Sequence, residues 1–217
     1  MEEIISKILL LAPAILLAIT VHEFAHAYIS RRMGDDTAYL LGRVSLNPLR
    51  HLDLMGTAVF MITAWMGMGF GWAKPVPFNY RRMKNIRLGF IAVSAAGPMA
   101  NLLTAMLLGA IYLLFIQLAP VFFIKYKIYQ FISAMIWVNL VLCFFNMLPL
   151  PPMDGSGVVT GLLPPNLAWH YQRLGRYGIF ILLALIVLPS WSTDVPDILN
   201  YVVRKPAHFI FNALLMR

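Results

Sequence analysis

His22 and His26 stand four residues apart, with Glu23 directly after the first, in the stretch Ile19–Tyr28, "ITVHEFAHAY". On a helix, residues four apart share a face, so the two imidazoles aim at one spot. Two neutral imidazoles at that spacing make half of a tetrahedral zinc site, and a glutamate beside the first can reach a water held there. The chemistry on offer is hydrolytic: a metal-activated water, and a carboxylate that takes its proton. The bare His-Glu-x-x-His pattern also occurs on solvated helix faces of soluble proteins. Here the neighbours are apolar, and ionisable groups inside a membrane helix are costly unless paired or functional. Three of them within five residues need a common partner. A metal supplies one; a buried polar network between helices is the alternative.

A catalytic zinc takes a third protein ligand and keeps one position open. Of the nine acidic residues, most sit in loops or at the N-terminus. Asp154 differs, because it lies in "NMLPLPPMDGSG", residues 146–157, directly after a strongly apolar run. Pro149, Pro151 and Pro152 end the preceding helix. The non-helical backbone they leave is tolerated near a membrane only where protein or a water-filled cavity surrounds it. Gly155 and Gly157 are expected to let the chain turn closely around the carboxylate. An ordinary turn is the plain reading of Met-Asp-Gly alone; beside an intramembrane His-Glu-His it is the best third ligand on offer.

The elements that must position these groups are membrane helices. The 217 residues are 60% hydrophobic and 12% charged, with a mean hydropathy of +0.76. A soluble domain is nearer half apolar and a quarter charged. The net charge of +8 would suit nucleic acid, but the basic residues flank apolar runs, as orientation in a membrane requires, so no nucleic-acid partner is expected. The one cysteine, Cys143, lies inside an apolar run and reads as a small buried hydrophobe. The N-terminal stretch carries acids where a signal peptide carries bases, and is read as a retained helix.

Four apolar runs stand out: Ile4–Ile29, Leu88–Leu118, Phe131–Leu148 and Tyr177–Leu188, the last extending back through Ala168–Arg176. The first spans about 39 Å as a helix, enough to cross a bilayer. A fifth, Leu54–Phe70, is broken by the glycines of "MGMGFGW", and residues 194–217 read as an interfacial segment. The expected fold is an all-α polytopic membrane protein. Three core helices carry the metal site, with additional helices and a re-entrant or short β segment between the first two. One domain, 1–217, is expected, with its core at about 4–160 and accessory helices at 161–217.

These motifs together resemble the site-2 protease family of intramembrane zinc metalloproteases. "HEFAH" is similar to the family's first metal motif and "NMLPLPPMDG" to its second. "AAGPMAN", residues 95–101, is similar to the signature at the start of the helix between them. "GRVSLNP" (42–48) and "GWAKPVPFN" (71–79) look like the loops of its compact members, those without PDZ or CBS domains. Met153 stands where Leu is more usual, and the position stays apolar. The resemblance implies one Zn2+ per chain, held by His22, His26 and Asp154, with Glu23 as base. It implies regulated intramembrane proteolysis, with transmembrane proteins or peptides as substrates and lipid as surroundings. Asn146 is placed by the metal, holding the substrate carbonyl; an interhelical hydrogen bond is the equal alternative. Asn101 reads as a structural bond between helices, Gly97 as a close-packing residue and Pro98 as a helix start.

The ligands must meet at one depth. The first and third core helices therefore run parallel, the second antiparallel between them, and Leu54–Phe70 is not a single crossing. Eleven of the seventeen basic residues, including Arg31, Arg32, Arg43, Arg81, Arg82 and Arg87, fall on the active-site side, which places it in the cytoplasm of a cell membrane. "LLGRVSL" (40–46) reads as an edge strand that could pair with an unwound substrate, and "GMGFGW" (67–72) as backbone a peptide could approach. Plain interfacial loops are the alternative for both. His51 and Asp53 could touch the site or gate it; a surface loop pair is the plainer reading. A membrane metal transporter, or a non-catalytic zinc scaffold, are the rival functions.

Overall fold

The computed structural model describes residues 2–65, 72–125, 127–192 and 195–216. Helix α1 is Glu2–Arg32, α2 the short Thr37–Leu40 and α3 Leu54–Trp65. Then come α4 (Ile86–Leu118), α5 (Pro120–Lys125) and α6 (Ile128–Asn146). The C-terminal part holds α7 (Asp154–Leu162), α8 (Pro165–Arg173), α9 (Gly175–Trp191) and α10 (Lys205–Leu215). Three helices, at Leu9–Arg32 and in α4 and α6, are long and apolar enough to cross a membrane. The pair α8 and α9 adds a fourth if its 56° bend lies within one span. The protein is an all-α, multi-pass membrane protein.

The first three spans pack on one another, and their hydrogen bonds give the directions. His26 meets Val93, while His22 and the Ala18 carbonyl meet Asn101, so α4 runs antiparallel to α1. Asn101 meets Asn139, and farther along α4 Tyr112 clusters with Ile132, so α6 runs antiparallel to α4. The expected parallel–antiparallel arrangement is the observed one. The apolar core of this bundle is Ala105 and Tyr112 of α4, Ile132, Ile136 and Leu140 of α6, and Ala207 and Leu215 of α10. The C-terminal segment, expected at the interface, thus lays its apolar face along α4 and α6. Helix α4 starts at Asn85, whose Oδ1 accepts from Leu88 N at 3.0 Å, a side-chain cap. Pro98 is therefore not a helix start: it lies a dozen residues inside α4 and is fully buried.

Between α1 and α4 the backbone is held by side chains rather than by a sheet. Among the described residues the only β pairing is one antiparallel bridge, Leu52 to Ala73. It brings both ends of the α3 segment together, so the chain leaves and returns at one place. Its Gly-rich residues 66–71 lie outside the described residues, and with them most of "GMGFGW" and the end of Leu54–Phe70. Residues 40–46 form no strand. Arg43 reaches across from that stretch instead, donating to the carbonyls of Arg50, Lys74 and Pro75, which gathers three loops around one buried guanidinium. His51 is fully buried, not a surface residue, and pairs through Nε2 with the Ser45 carbonyl at 2.7 Å. Asp53 accepts from Gly56 N at 2.8 Å, the cap of α3.

Asp35, fully buried after the end of α1, fixes the other side of these loops. Its carboxylate accepts from Ser30 Oγ, from Thr37 N and Oγ1, and from Asn79 N at 2.6 Å. Burial pushes the Asp35 carboxyl up, but the bonds from Asn79, Thr37 and Ser30 outweigh it and hold the pKa below the usual range. The folded value lies below the unfolded one. The stabilisation is therefore complete above the unfolded value, about 4, and fades as pH falls through the folded value. Asp35→Ala strands four donors and is expected to cost roughly 2–4 kcal/mol, with the acid-side dependence lost. Thermal unfolding of the detergent-solubilised variant across pH 3–7 reads both effects; an unchanged midpoint would contradict them.

Candidate metal centre

Two helices bring three ligand atoms to one point. His22 and His26 leave the same face of α1, four residues apart, and both are buried. Asp154 opens α7, after the non-helical stretch 147–153 that follows α6. His22 Nε2 and His26 Nε2 lie 3.0 Å apart, and Asp154 Oδ2 lies 3.1 Å from the first and 3.2 Å from the second. Among the described residues this is the one group of three or more His, Cys, Asp or Glu side chains spaced to hold a metal ion.

The hydrogen bonds behind the rings say which atoms face the centre. His26 Nδ1 lies 2.7 Å from the Val93 carbonyl, which only accepts, so Nδ1 carries the proton. His22 Nδ1 meets Asn101 Oδ1 at 2.6 Å, with the same consequence. In neutral rings both Nε2 atoms are then bare lone pairs, 3.0 Å apart, against a carboxylate oxygen that is buried and has no hydrogen-bond donor. Three acceptors converge with no proton between them. Among the described residues no Lys or Arg forms an ion pair with Asp154. Such a cluster is self-repelling unless a cation fills it. Its edges fit: donor atoms around a tetrahedral zinc sit roughly 3.3 Å apart, and two imidazoles with one carboxylate are a zinc donor set.

The sequence explains the placement of each group. In α4, Pro98 has no N–H and its ring crowds the carbonyl four residues back, which loosens the helix just where His26 borrows the neighbouring Val93 carbonyl. Gly97 lies directly against both ligands: a Cβ there would overlap both Nε2 atoms and sit 2.6 Å from His22 Cε1. In α7, Asp154, Gly157 and Gly161 fall on one face, at i, i+3 and i+7. Gly157 packs on Ser94 and Gly161 on Ile91 and the Arg87 carbonyl, so α7 lies close along α4 and carries Asp154 to the histidines. Gly157 thus belongs to a helix face, not to the expected turn around the carboxylate. Arg87 closes the far end of α7, donating Nε to the Gly161 carbonyl at 3.3 Å and Nη2 to Leu162 and Leu163.

Glu23 is half-buried, and its charge acts on His26 and on Arg43. Asn146 is half-buried in the last turn of α6 and donates Nδ2 to the Leu142 carbonyl, 3.0 Å away on its own helix. The geometry thus brings His22, His26 and Asp154 together, with Glu23 adjoining on α1. Gly97, a close-packing residue by its sequence, and Asn101, a bond between helices, both touch the ligands. Their spacing, Gly-Pro-x-x-Asn, was the signal.

The chain is similar to known proteins over most of its length. The profile of peptidase family M50 matches residues 115–188, which include Asp154. A Bacillus subtilis protein named "Putative zinc metalloprotease YwhC" is 39% identical over 190 residues, 86% of this chain and 84% of that protein. Two proteins of the same description called Rip2 follow. That of Mycolicibacterium smegmatis is 29% identical, over 87% of this chain and 74% of the relative. That of Mycobacterium tuberculosis is 28% identical, over 81% of this chain and 65% of the relative. No solved structure matches. With the family profile on its C-terminal half and a relative 39% identical over 86% of its length, the chain belongs to peptidase family M50, the site-2 protease family.

Proposed function

We propose that this protein is an intramembrane zinc metalloprotease that hydrolyses peptide bonds of membrane-spanning proteins. The observation that carries the proposal is the convergence of two bare imidazole nitrogens and an orphaned carboxylate oxygen at one buried point. His22, His26 and Asp154 would hold the zinc ion. When bound, zinc supplies a Lewis acid for the scissile carbonyl and acidifies water. Glu23 then takes a proton from the attacking water on its carboxylate and passes it to the leaving nitrogen. Asn146 keeps one amide hydrogen on Leu142; the other is the one that would hold the substrate carbonyl. No acyl-enzyme forms, since no serine or threonine nucleophile is required.

The active site would open toward the cytoplasm, with the N-terminus of α1 outside. The loops between α1 and α4 are dense in Arg and Lys, while the α4–α6 connection has Lys125 and Lys127 alone. The rival readings fit less well. A transport path wants ligands at several depths, and the described residues hold one cluster at one depth. A structural zinc is closed by four protein ligands, and three converge here.

The test uses detergent-purified protein: zinc per chain, and cleavage of a panel of single-span membrane proteins, before and after a chelator and after zinc is restored. One zinc per chain, with cleavage lost and regained, is the expected result. Protein that takes up no zinc under conditions that retain it would sink the proposal.

A further inference from the structure

The hydrogen bonds behind His22 run on past Asn101, and two main-chain carbonyls fix their direction, Ala18 beside Asn101 and Met135 at the far end. The Met135 main-chain carbonyl only accepts, so Asn139 must turn its Nδ2 toward it, at 2.8 Å. That turns Asn139 Oδ1 toward Asn101, whose Nδ2 donates to it and to the Ala18 carbonyl, each at 2.9 Å. With Nδ2 so committed, Asn101 has only Oδ1 to show to His22 Nδ1, at 2.6 Å. An acceptor there keeps the proton on Nδ1 and leaves Nε2 free. Both asparagines are fully buried, so no bulk water competes for these bonds. His26 needs no such chain, because its partner is the Val93 backbone carbonyl, which cannot flip.

We propose that Asn139 is a positioning residue for the metal centre: from α6, touching no ligand, it joins the Ala18 carbonyl in holding Asn101 in the orientation that selects the metal-ready tautomer of His22. The relay links α6, α4 and α1 in order, so the affinity of the site depends on the docking of α6 against the other two. The proposal rests on the reading of His22 as a metal ligand. The plain alternative is a structural hydrogen bond of the kind common between membrane helices.

The experiment measures zinc affinity by competition with a chromophoric chelator, on full-length protein in detergent. The forms are wild type, Asn101→Leu, Asn139→Leu and Asn139→Asp. Melting temperatures of the metal-free forms and 15N spectra of histidine-labelled, metal-free protein accompany it. The carboxylic acid introduced by Asn139→Asp is held neutral by burial and offers the same acceptor and donor. Asn101→Leu is expected to weaken zinc binding toward 100-fold and Asn139→Leu about tenfold, within the range for partners of metal-bound histidines. Asn139→Asp is expected to retain wild-type affinity, and Asn139→Leu to show His22 as a mixture of tautomers. If the leucine variant does not fold, Asn139→Ala removes the same acceptor and takes its place. Wild-type affinity and an unchanged His22 signal in the variant would overturn the relay while leaving the metal site standing. Equal losses in the Leu and Asp forms, in step with their metal-free melting temperatures, would reduce it to a structural bond and overturn it too. A wild type that binds no metal would remove this inference and the protease reading together.

Discussion

Replacing Glu23 by glutamine is expected to lower peptide-bond cleavage by roughly 10²–10⁴-fold while leaving one zinc per chain, the range a positioned proton-transfer group contributes. The expectation follows from where Glu23 stands. It is the residue after His22 on α1, so its side chain leaves the helix about 100° around from His22 and about 60° from His26, beside the ligands rather than among them. It is half-buried, and its charge is felt by His26. A glutamine keeps its size and hydrogen-bonding reach and removes only its capacity to take a proton. Asp154→Asn is the contrasting variant: it takes the charge from the carboxylate whose Oδ2 closes the ligand triangle, and should lose metal and cleavage together. Metal content by atomic emission and cleavage of one membrane substrate, measured on the same preparations, separate the two. A Glu23→Gln protein that cleaves like wild type would refute the assigned base. One that loses its zinc would make Glu23 a ligand.

What the sequence disclosed, and what it withheld, divides along physical lines. The His22–His26 pair was legible because helical periodicity is local: a four-residue spacing fixes a shared face whatever surrounds it. Asp154 was legible because so few acids sit beside apolar runs, and the antiparallel order of α1, α4 and α6 followed from the need for the ligands to meet. The contacts that complete the site depend on tertiary packing and left weaker marks. Gly157 read as a turn-former beside three prolines, yet it lies with Gly161 on the face of α7 that packs on α4. Pro98 read as a helix start, yet α4 runs through it, as membrane helices packed among others tolerate a proline. Residues 40–46 alternate as a strand would, but a strand needs a partner, and the backbone nearby is gathered by Arg43. His51 looked like a loop residue and is buried, because a loop beside a membrane bundle can fold over its own polar groups.

Gly97→Ala is the smallest change expected to damage the metal centre. The added methyl group would overlap the Nε2 atoms of both histidines, the atoms that face the metal. Relief by moving the rings is blocked, because Val93 and Asn101, both on α4 itself, hold each Nδ1 at 2.6–2.7 Å. Relief by moving α4 is blocked by Asn101, which is bound to the Ala18 carbonyl and to Asn139 on the two flanking helices. Overpacking of this kind costs about 1–3 kcal/mol, which at roughly 1.4 kcal/mol per decade weakens zinc binding on the order of 5–150-fold. The same substitution at Gly109, farther along α4, supplies the control. There the atoms a Cβ would meet first belong to the Leu214 side chain, the nearest its Cβ at 3.1 Å, and none belongs to a metal ligand. Gly109→Ala is therefore expected to bind zinc as the wild type does. Chelator competition on the two variants side by side decides the matter. Equal, wild-type affinities would mean that α4 stands farther from the histidines than Gly97 places it, and the close approach that orders both imidazoles would have to come from elsewhere.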